Sequence, residues 1–429
     1  MGDVKKIRTI CNMCQCACSG VIAHVQDNTI LKIEGDPDCP PSNGKVCAKG
    51  LAGALAPSNP KRILKPLRRT NPEKGLGVDP KWKEITWEEA YEEIIPRMKK
   101  IRKEDSRKLM LAMFDYPQYY HLIPWCMAFG SQFYVGAATW CGIYHNASYQ
   151  YYLSFFREPD FEYNKYLVLW GSQSGHLVDA LPVPSAKKLA DARVNGTKIV
   201  VIDPVATPAA ALADEWVPIR PGTDGLLALC FANLLVNEYQ LIDIPFIKER
   251  TNGPYLVQED GTYFRDKTTN KPMVWDEITA KAVTFDSISS NRMALEGKFD
   301  GEGMSVQPAF AKLKEHLKQF TPEKTSEITT IPVEDISRLA REFGEQSRIG
   351  STITIMGENM PYRPAAVLTG RGPNAHRHGM HTTFATDLLN VIVGNLNMPG
   401  GVLGFGTNYK QRWGPGVDED GIALSPNST

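Results

Sequence analysis

Three cysteines near the N-terminus, Cys11, Cys14 and Cys18, form a Cys-x2-Cys-x3-Cys loop, and Cys47 follows downstream. An iron–sulfur cube needs one thiolate at each of four iron corners, and short spacings let one loop wrap three of them. Tetrahedral zinc also takes four thiolates, although zinc ribbons ordinarily use two Cys-x2-Cys knuckles and only one is present. Spacing alone leaves both metals open. Cys16 and Cys39 are spare thiols in the same region. Cys126 lies in the apolar run PWCMAFGS, the setting of an inert core thiol. The chain has nine cysteines, and in a reducing compartment such clustering reads as metal binding rather than disulfides.

A second set of residues falls at predicted strand ends. Tyr166–Trp170 (YLVLW) and Lys198–Ile202 (KIVVI) read as buried strands, and roughly Val183–Asn195 reads as the helix between them. That is one βαβ unit of a parallel sheet, which binds ligands outside the carboxyl ends of its strands. Gly171, Ser172 and Gln173 stand at one such end, and Asp203 and Pro204 at the next. Gly222 and Asp224 open an apolar helix running through Asn237. Glycine lets backbone approach a pyrophosphate, and a carboxylate can accept from guanine or ribose donors. Taken alone, Asp-Pro or Pro-Gly-Thr-Asp is also an ordinary turn and helix cap, with Thr223 or Asp224 as the cap.

The elements that position these residues follow from pattern. A hairpin is expected over Gly20–Val25 and Thr29–Glu34, and a helix from the capping box at Thr86–Glu89, with Pro96 kinking or ending its first part. Residues 251–305 are polar and read as an insertion with little core of its own. Helix signals return at Val333–Phe343, and a strand at Thr352–Met356 ends on Gly357. The expected division is a metal module over 1–60, a linker and first α/β part over 61–160, and an α/β domain over 161–345. A return to a second α/β domain over 346–410 and a tail over 411–429 complete it.

At 429 residues two or three subdomains are expected, and the 42% apolar fraction can fill them. The 48 basic side chains balance 48 acidic ones, which argues against a nucleic-acid surface. No apolar run is long enough to span a bilayer. The opening MGDVKKIRTICNMC has no apolar core of a signal peptide, so a cytoplasmic location is expected.

Taken in order, Cys-x2-Cys-x3-Cys, Cys-Ala-Lys-Gly, LVLWGSQS, VIDPVAT, ADEWVPIRPGTDGLLAL and VGNLNMPGG resemble the dimethyl-sulfoxide-reductase superfamily of bis-pyranopterin molybdenum and tungsten enzymes. The resemblance covers nearly the whole chain. It implies an N-terminal iron–sulfur module followed by doubly wound parallel-sheet domains. It also implies a [4Fe–4S] cluster on Cys11, Cys14, Cys18 and Cys47, with Lys49 relaying electrons between cluster and pterin. The strand-end loops, with Thr207 and Gly357, would hold a guanine dinucleotide on a bis-molybdopterin cofactor. Cys141 would be the protein ligand to Mo or W, a soft donor suited to such a metal. His145, and His376 and His378 in the loop that also carries His381, would be proton donors near the metal, although any one of them reads equally as a surface or core histidine.

There are departures. Gln173 stands where the family usually has Asn, and Val205 follows Asp-Pro where Arg is common. Gly142 follows Cys141 where formate dehydrogenases resemble one another in having His, which disfavours formate oxidation. The family's C-terminal β-barrel-like domain has no counterpart here. A companion polypeptide supplying it and a ferredoxin-like electron partner are therefore expected. The leading reading is oxygen-atom transfer, hydroxylation or reductive dehydroxylation of a small substrate. The alternatives are a formate dehydrogenase-like enzyme, a non-redox hydratase of the acetylene hydratase type, and a cofactor-poor scaffold subunit.

Overall fold

The computed structural model describes residues 2–13, 19–39, 42–112, 116–135, 152, 157–172 and 182–404. They fall into two compact units, Met1–Gly142 and Ile143–Thr429.

In the first unit β1 (Lys5–Ile10), β2 (Gly20–Gln26) and β3 (Thr29–Gly35) form an antiparallel sheet in that order. The β2–β3 turn places Asp27 and Asn28 at φ 46° and 62°, the left-handed geometry that matches hairpin twist and that Asp and Asn tolerate. A short helix, α1 (Ala48–Ala52), starts directly after Cys47. The next, α2 (Trp87–Asp105), opens on the expected capping box. Glu89 N donates to Thr86 Oγ1 at 3.1 Å, and Thr86 N donates to Glu89 Oε2 at 2.7 Å. Pro96 does not end this helix, which runs on to Asp105. Proline removes one hydrogen bond, to the carbonyl of Glu92. That residue is exposed, so water can take the donor's place.

The second unit is built on a four-stranded sheet. Its strands are β4 (Tyr166–Trp170), β5 (Lys198–Ile202), β6 (Glu215–Val217) and β7 (Ala365–Thr369), ordered β6-β5-β4-β7 and parallel throughout. Side chains alternate between two apolar cores. Tyr166, Val168, Trp170, Val200 and Ile202 enter one. Leu167, Leu169, Ile199, Val201, Ala366 and Leu368 enter the other. Burial on both faces explains the unbroken apolar runs of these strands. Helix α3 (Pro182–Val194) links β4 to β5, and α4 (Pro208–Leu212) links β5 to β6. Then α5 (Asp224–Asn233) follows β6, and α6 (Gly379–Ile392) follows β7. Strand β7 is at the edge, and α6 satisfies its backbone: Val367 N donates to Asn390 Oδ1 and Asn390 Nδ2 donates to Val367 O, both at 2.9 Å.

The expected strand is present as Thr352–Ile355, and it pairs antiparallel with Glu358–Pro361, turning at Met356 and Gly357. The fourth parallel strand is β7, which sequence pattern left unassigned. Residues 251–305 are not coreless: short antiparallel strands pack Leu256, Phe264, Met273 and Val306 together, and Trp275 stacks on Phe299 with ring centroids 4.3 Å apart. The strands, three to five residues each, are too short for periodicity to reveal them. Among the described residues no helix is long and apolar enough to cross a membrane, and no barrel occurs.

Candidate functional site

In the first unit Cys11 follows β1, and its N–H donates to Ser19 O at 2.9 Å, closing the base of the cysteine loop. Cys47 occupies the N-cap of α1. Three residues on, Gly50 faces Cys11: a Cβ there would lie 3.1 Å from Cys11 Sγ and 2.4 Å from Val46 Cγ2. The two segments carrying Cys11 and Cys47 are thus brought together, and glycine is what permits the approach. Cys14 and Cys18 lie outside the described residues. Lys49 is exposed, and its ammonium has no ion pair among the described residues. Cys126 is 1% exposed and its thiol donates to Ser131 O at 3.4 Å, the contacts of a structural cysteine. Cys141 and His145 lie outside the described residues.

In the second unit the carboxyl ends of β4, β5 and β7 are in register, with Trp170 beside both Ile202 and Thr369. This crest is closely packed. Gly171 has φ +57°, and a Cβ on Gly370 would lie 2.3 Å from Gly171 O and 2.8 Å from Ser172 Cα. The loop after β7 therefore lies flat against the loop after β4, and only glycine fits. Ser172 is fully buried, and its hydroxyl has no hydrogen-bond partner among the described residues. Gln173 lies outside the described residues.

After β5, Val205 N donates to Asp203 Oδ1 at 2.9 Å, and Trp216 Nε1 donates to Asp203 O at 2.8 Å. Pro204 follows in this turn, and Thr207 caps α4, its hydroxyl facing Ala210 N at 3.3 Å. After β6, Gly222 has φ +81° and turns the chain into α5. Thr223 holds the N-cap position, but its hydroxyl donates to Arg220 O at 2.7 Å instead of capping. Asp224 is buried, and its Oδ1 accepts from Trp170 Nε1 at 2.9 Å. Burial raises its carboxyl above the usual aspartate value, with the Trp170 hydrogen bond and the nearby His376 acting against that rise.

The loop after β7 carries the histidines. His378 N donates to His376 Nδ1 at 3.1 Å, so the other ring nitrogen carries the proton and donates to Pro373 O at 3.0 Å. Both ring nitrogens of His376 are thus engaged inside their own loop, which counts against its expected role as a proton donor. His378 accepts from Arg377 Nε at 2.9 Å and is exposed. Its ring stands 6.3 Å from His376 and 6.4 Å from His381, yet among the described residues no cluster of His, Cys, Asp or Glu is arranged to hold a metal ion. Gly357 is not part of the crest. It is the turn of its hairpin at φ +82° with open space around it, so turn geometry accounts for it. A cavity of about 750 Å³ lined by Phe246, Phe310, Leu313, Phe384 and Leu388 also contains none of the expected site residues.

Sequence pattern did not point to Trp170 as the holder of Asp224, nor to the guanidiniums of Arg220, Arg371 and Arg377, all exposed on loops of this crest. A cue was available for two of them: Arg220 precedes Pro221, and Arg371 stands between Gly370 and Gly372.

One unit brings the segments of Cys11 and Cys47 together, and the other is an α/β unit with glycine-bearing loops at the carboxyl ends of parallel strands. The sequence matches the family "Molybdopterin oxidoreductase" over residues 62–426 and "Molybdopterin oxidoreductase Fe4S4 domain" over residues 4–55. The chain belongs to the molybdopterin oxidoreductase family, within the dimethyl-sulfoxide-reductase superfamily. A sulfite dehydrogenase subunit of Allochromatium vinosum is 30% identical over 94% of this chain and 43% of that protein. The alpha subunit of perchlorate reductase from Dechloromonas aromatica is 27% identical over 93% of this chain and 46% of that protein. The fold is similar to that of acetylene hydratase from Pelobacter acetylenicus, with a TM-score of 0.63 at 20% identity, over 93% of this chain and 44% of that one. The chain therefore spans a little under half the length of these relatives. The cofactors of this family are a [4Fe–4S] cluster and a molybdopterin bearing Mo or W. The Gly50–Cys11 approach, which brings the segments of Cys11 and Cys47 together, is compatible with a shared cluster, and the in-register strand ends are where a dinucleotide would bind.

Proposed function

We propose that this chain is part of the catalytic subunit of a Mo/W bis-pyranopterin oxidoreductase acting on a small substrate by oxygen-atom transfer, hydroxylation or reductive dehydroxylation. The observation that carries the reading is the crest, where the carboxyl ends of β4, β5 and β7 are in register and Gly171 and Gly370 let the loops after β4 and β7 pack together beside Ser172. Gly171, Ser172, Gln173, Asp203, Pro204, Thr207, Gly222 and Asp224 would hold the guanine dinucleotide. Cys11, Cys14, Cys18 and Cys47 would hold the cluster. The exposed Lys49 would stand beside it, where a cation raises a cluster's potential. Cys141 would ligate the Mo or W, which supplies two-electron redox chemistry when bound. His145 and His378 would move protons at the substrate. The names of the relatives, a dehydrogenase and a reductase, support a redox reaction.

Both relatives are named as one subunit of several, which supports a companion polypeptide covering the rest of the cofactor and an iron–sulfur electron partner. The interface with that companion should exceed the roughly 1,600 Å² of a standard complex. The test is metal analysis of the complex from its native source. Stoichiometric Mo or W is expected, with turnover abolished in Cys141→Ala while the cluster's spectrum stays intact. Zinc without iron, turnover independent of any electron acceptor, or loss of turnover in Cys126→Ala but not in Cys141→Ala would overturn the reading.

A further inference from the structure

We propose that Arg371 anchors a phosphate of the cofactor's dinucleotide beside Gly171 and Ser172; this rests on the crest being the dinucleotide site. Gly370 leaves no room for a Cβ against Ser172 Cα or Gly171 O, so the residue after it, Arg371, sits on the loop that lies against the orphaned hydroxyl. The backbone around Arg371 is fixed. Asn374 N donates to Arg371 O at 3.3 Å, Asn374 Nδ2 donates to Gly370 O at 2.9 Å, and Pro373 packs against Gly171. The Arg371 side chain is exposed, and its guanidinium has no hydrogen bond or ion pair among the described residues. A rigid backbone with an uncommitted guanidinium is preorganised for a ligand rather than for the fold.

The other charges at the crest are spent or displaced. Asp203 accepts from Val205 N, and Asp224 accepts from Trp170. Arg377 gives its Nε to His378. Arg220 stands on the loop after β6, two strands away from β4 in the sheet order. The loop after β5, Asp203–Thr207, contains no cation and exposes Val205 at 63%. Positive charge beside Gly171 therefore comes from the β7 side of the sheet. A planar guanidinium donating in a fork suits the tetrahedral oxygens of a phosphate, and the fork is what lysine lacks.

The experiment uses the purified holo-complex containing the full chain, with Arg371→Met, Arg371→Lys and Gly370→Val. Pterin and Mo or W per chain are followed through gel filtration at about 0.05 and about 0.5 M KCl, since screening weakens exposed ion pairs. Circular dichroism and the elution position report that the unit carrying the crest keeps its fold, and iron per chain reports the same for the cysteine-bearing unit. Arg371→Met should release pterin about tenfold faster or more at low salt, as loss of a charge-assisted hydrogen bond implies. Its release should change less with salt than that of the wild type, and Arg371→Lys should fall between. If Gly370→Val empties the complex of pterin while Arg371→Met retains it like wild type, this proposal is wrong and the crest reading stands. If neither change alters retention and iron is normal, both are wrong.

Discussion

Trp170, the last residue of the central strand β4, donates its indole N–H to Asp224 at the start of α5, 2.9 Å away and out of solvent. One hydrogen bond thus ties the sheet to the loop that carries Gly222. It also acts on the protonation of Asp224, whose carboxyl is pushed up by burial. A carboxyl with a folded value above its unfolded one contributes stability below the unfolded value and loses it as pH rises through the folded one. Acidification toward the ordinary aspartate value should therefore relieve a penalty at this site. Asp224→Asn, which keeps an oxygen for Trp170, should remove that component from the pH dependence of denaturant unfolding. Trp170→Phe leaves the carboxyl without its indole donor, and a loss of about 1–3 kcal/mol is expected. An unchanged pH profile in Asp224→Asn would count against the assignment.

Gly50 is the test of the thiolate loop. A methyl there meets Val46 Cγ2 at 2.4 Å and Cys11 Sγ at 3.1 Å. Gly50→Leu should cut iron from about four per chain, as a cube requires, to less than half of that. Gly50→Ala should be milder and should recover when Val46→Ala is added, because the closer of the two contacts is then removed. Iron and labile sulfide after anaerobic purification decide it, and full iron in Gly50→Leu would refute the approach of α1 to Cys11.

How much was legible follows from where the information sits. The two buried strands, the hairpin and the capping box were readable because periodicity and capping are local. Spacing singled out the four cysteines but left zinc and iron–sulfur open, and the family match supplies the Fe4S4 domain. Strand β7 was not readable, because its partner β4 lies almost two hundred positions earlier in the chain and AAVLT is a short apolar run, which periodicity alone cannot tell from a helix segment. Gly357 was misread for the same reason: a glycine after a strand looks alike at a hairpin turn and at a ligand crest. Nor can sequence say that His376 is locked by His378 N and Pro373 O. Those bonds depend on how one loop folds upon itself.

Asn390 holds the edge of the sheet. Its amide gives and takes one hydrogen bond with Val367 and accepts a third from Asn395 Nδ2 at 2.9 Å. Asn390→Leu fits the volume but strands both backbone groups of Val367 in an apolar setting. Each such group costs about 1–3 kcal/mol. Asn390→Asp keeps the acceptor but loses the donor to Val367 O, so it should be the milder change. Denaturation midpoints rank them, and hydrogen exchange at Val367 N should rise most in Asn390→Leu. Equal protection in both variants would mean that the strand edge is held by something else.

A buried ion pair lies outside the crest. Arg363 donates from Nε and Nη2 to Asp243 Oδ2 at 2.9 and 2.7 Å, with both side chains nearly excluded from solvent. Further capacity of both groups is used as well. Asp243 Oδ1 accepts from Phe246 N at 3.1 Å and so caps the helix Ile244–Arg250. Arg363 Nη1 reaches Tyr362 O at 2.9 Å and Ser351 O at 3.2 Å. A buried pair gains little over apolar packing, but breaking one side leaves a charge without a partner and costs about 3–5 kcal/mol. Arg363→Met should therefore destabilise by that amount, and Asp243→Leu by at least as much, since it also uncaps the helix. The double change Asp243→Leu with Arg363→Met should cost clearly less than the sum, because no charge is left alone. Urea unfolding of the three variants measures the coupling, and strict additivity would show that the two side chains do not hold each other.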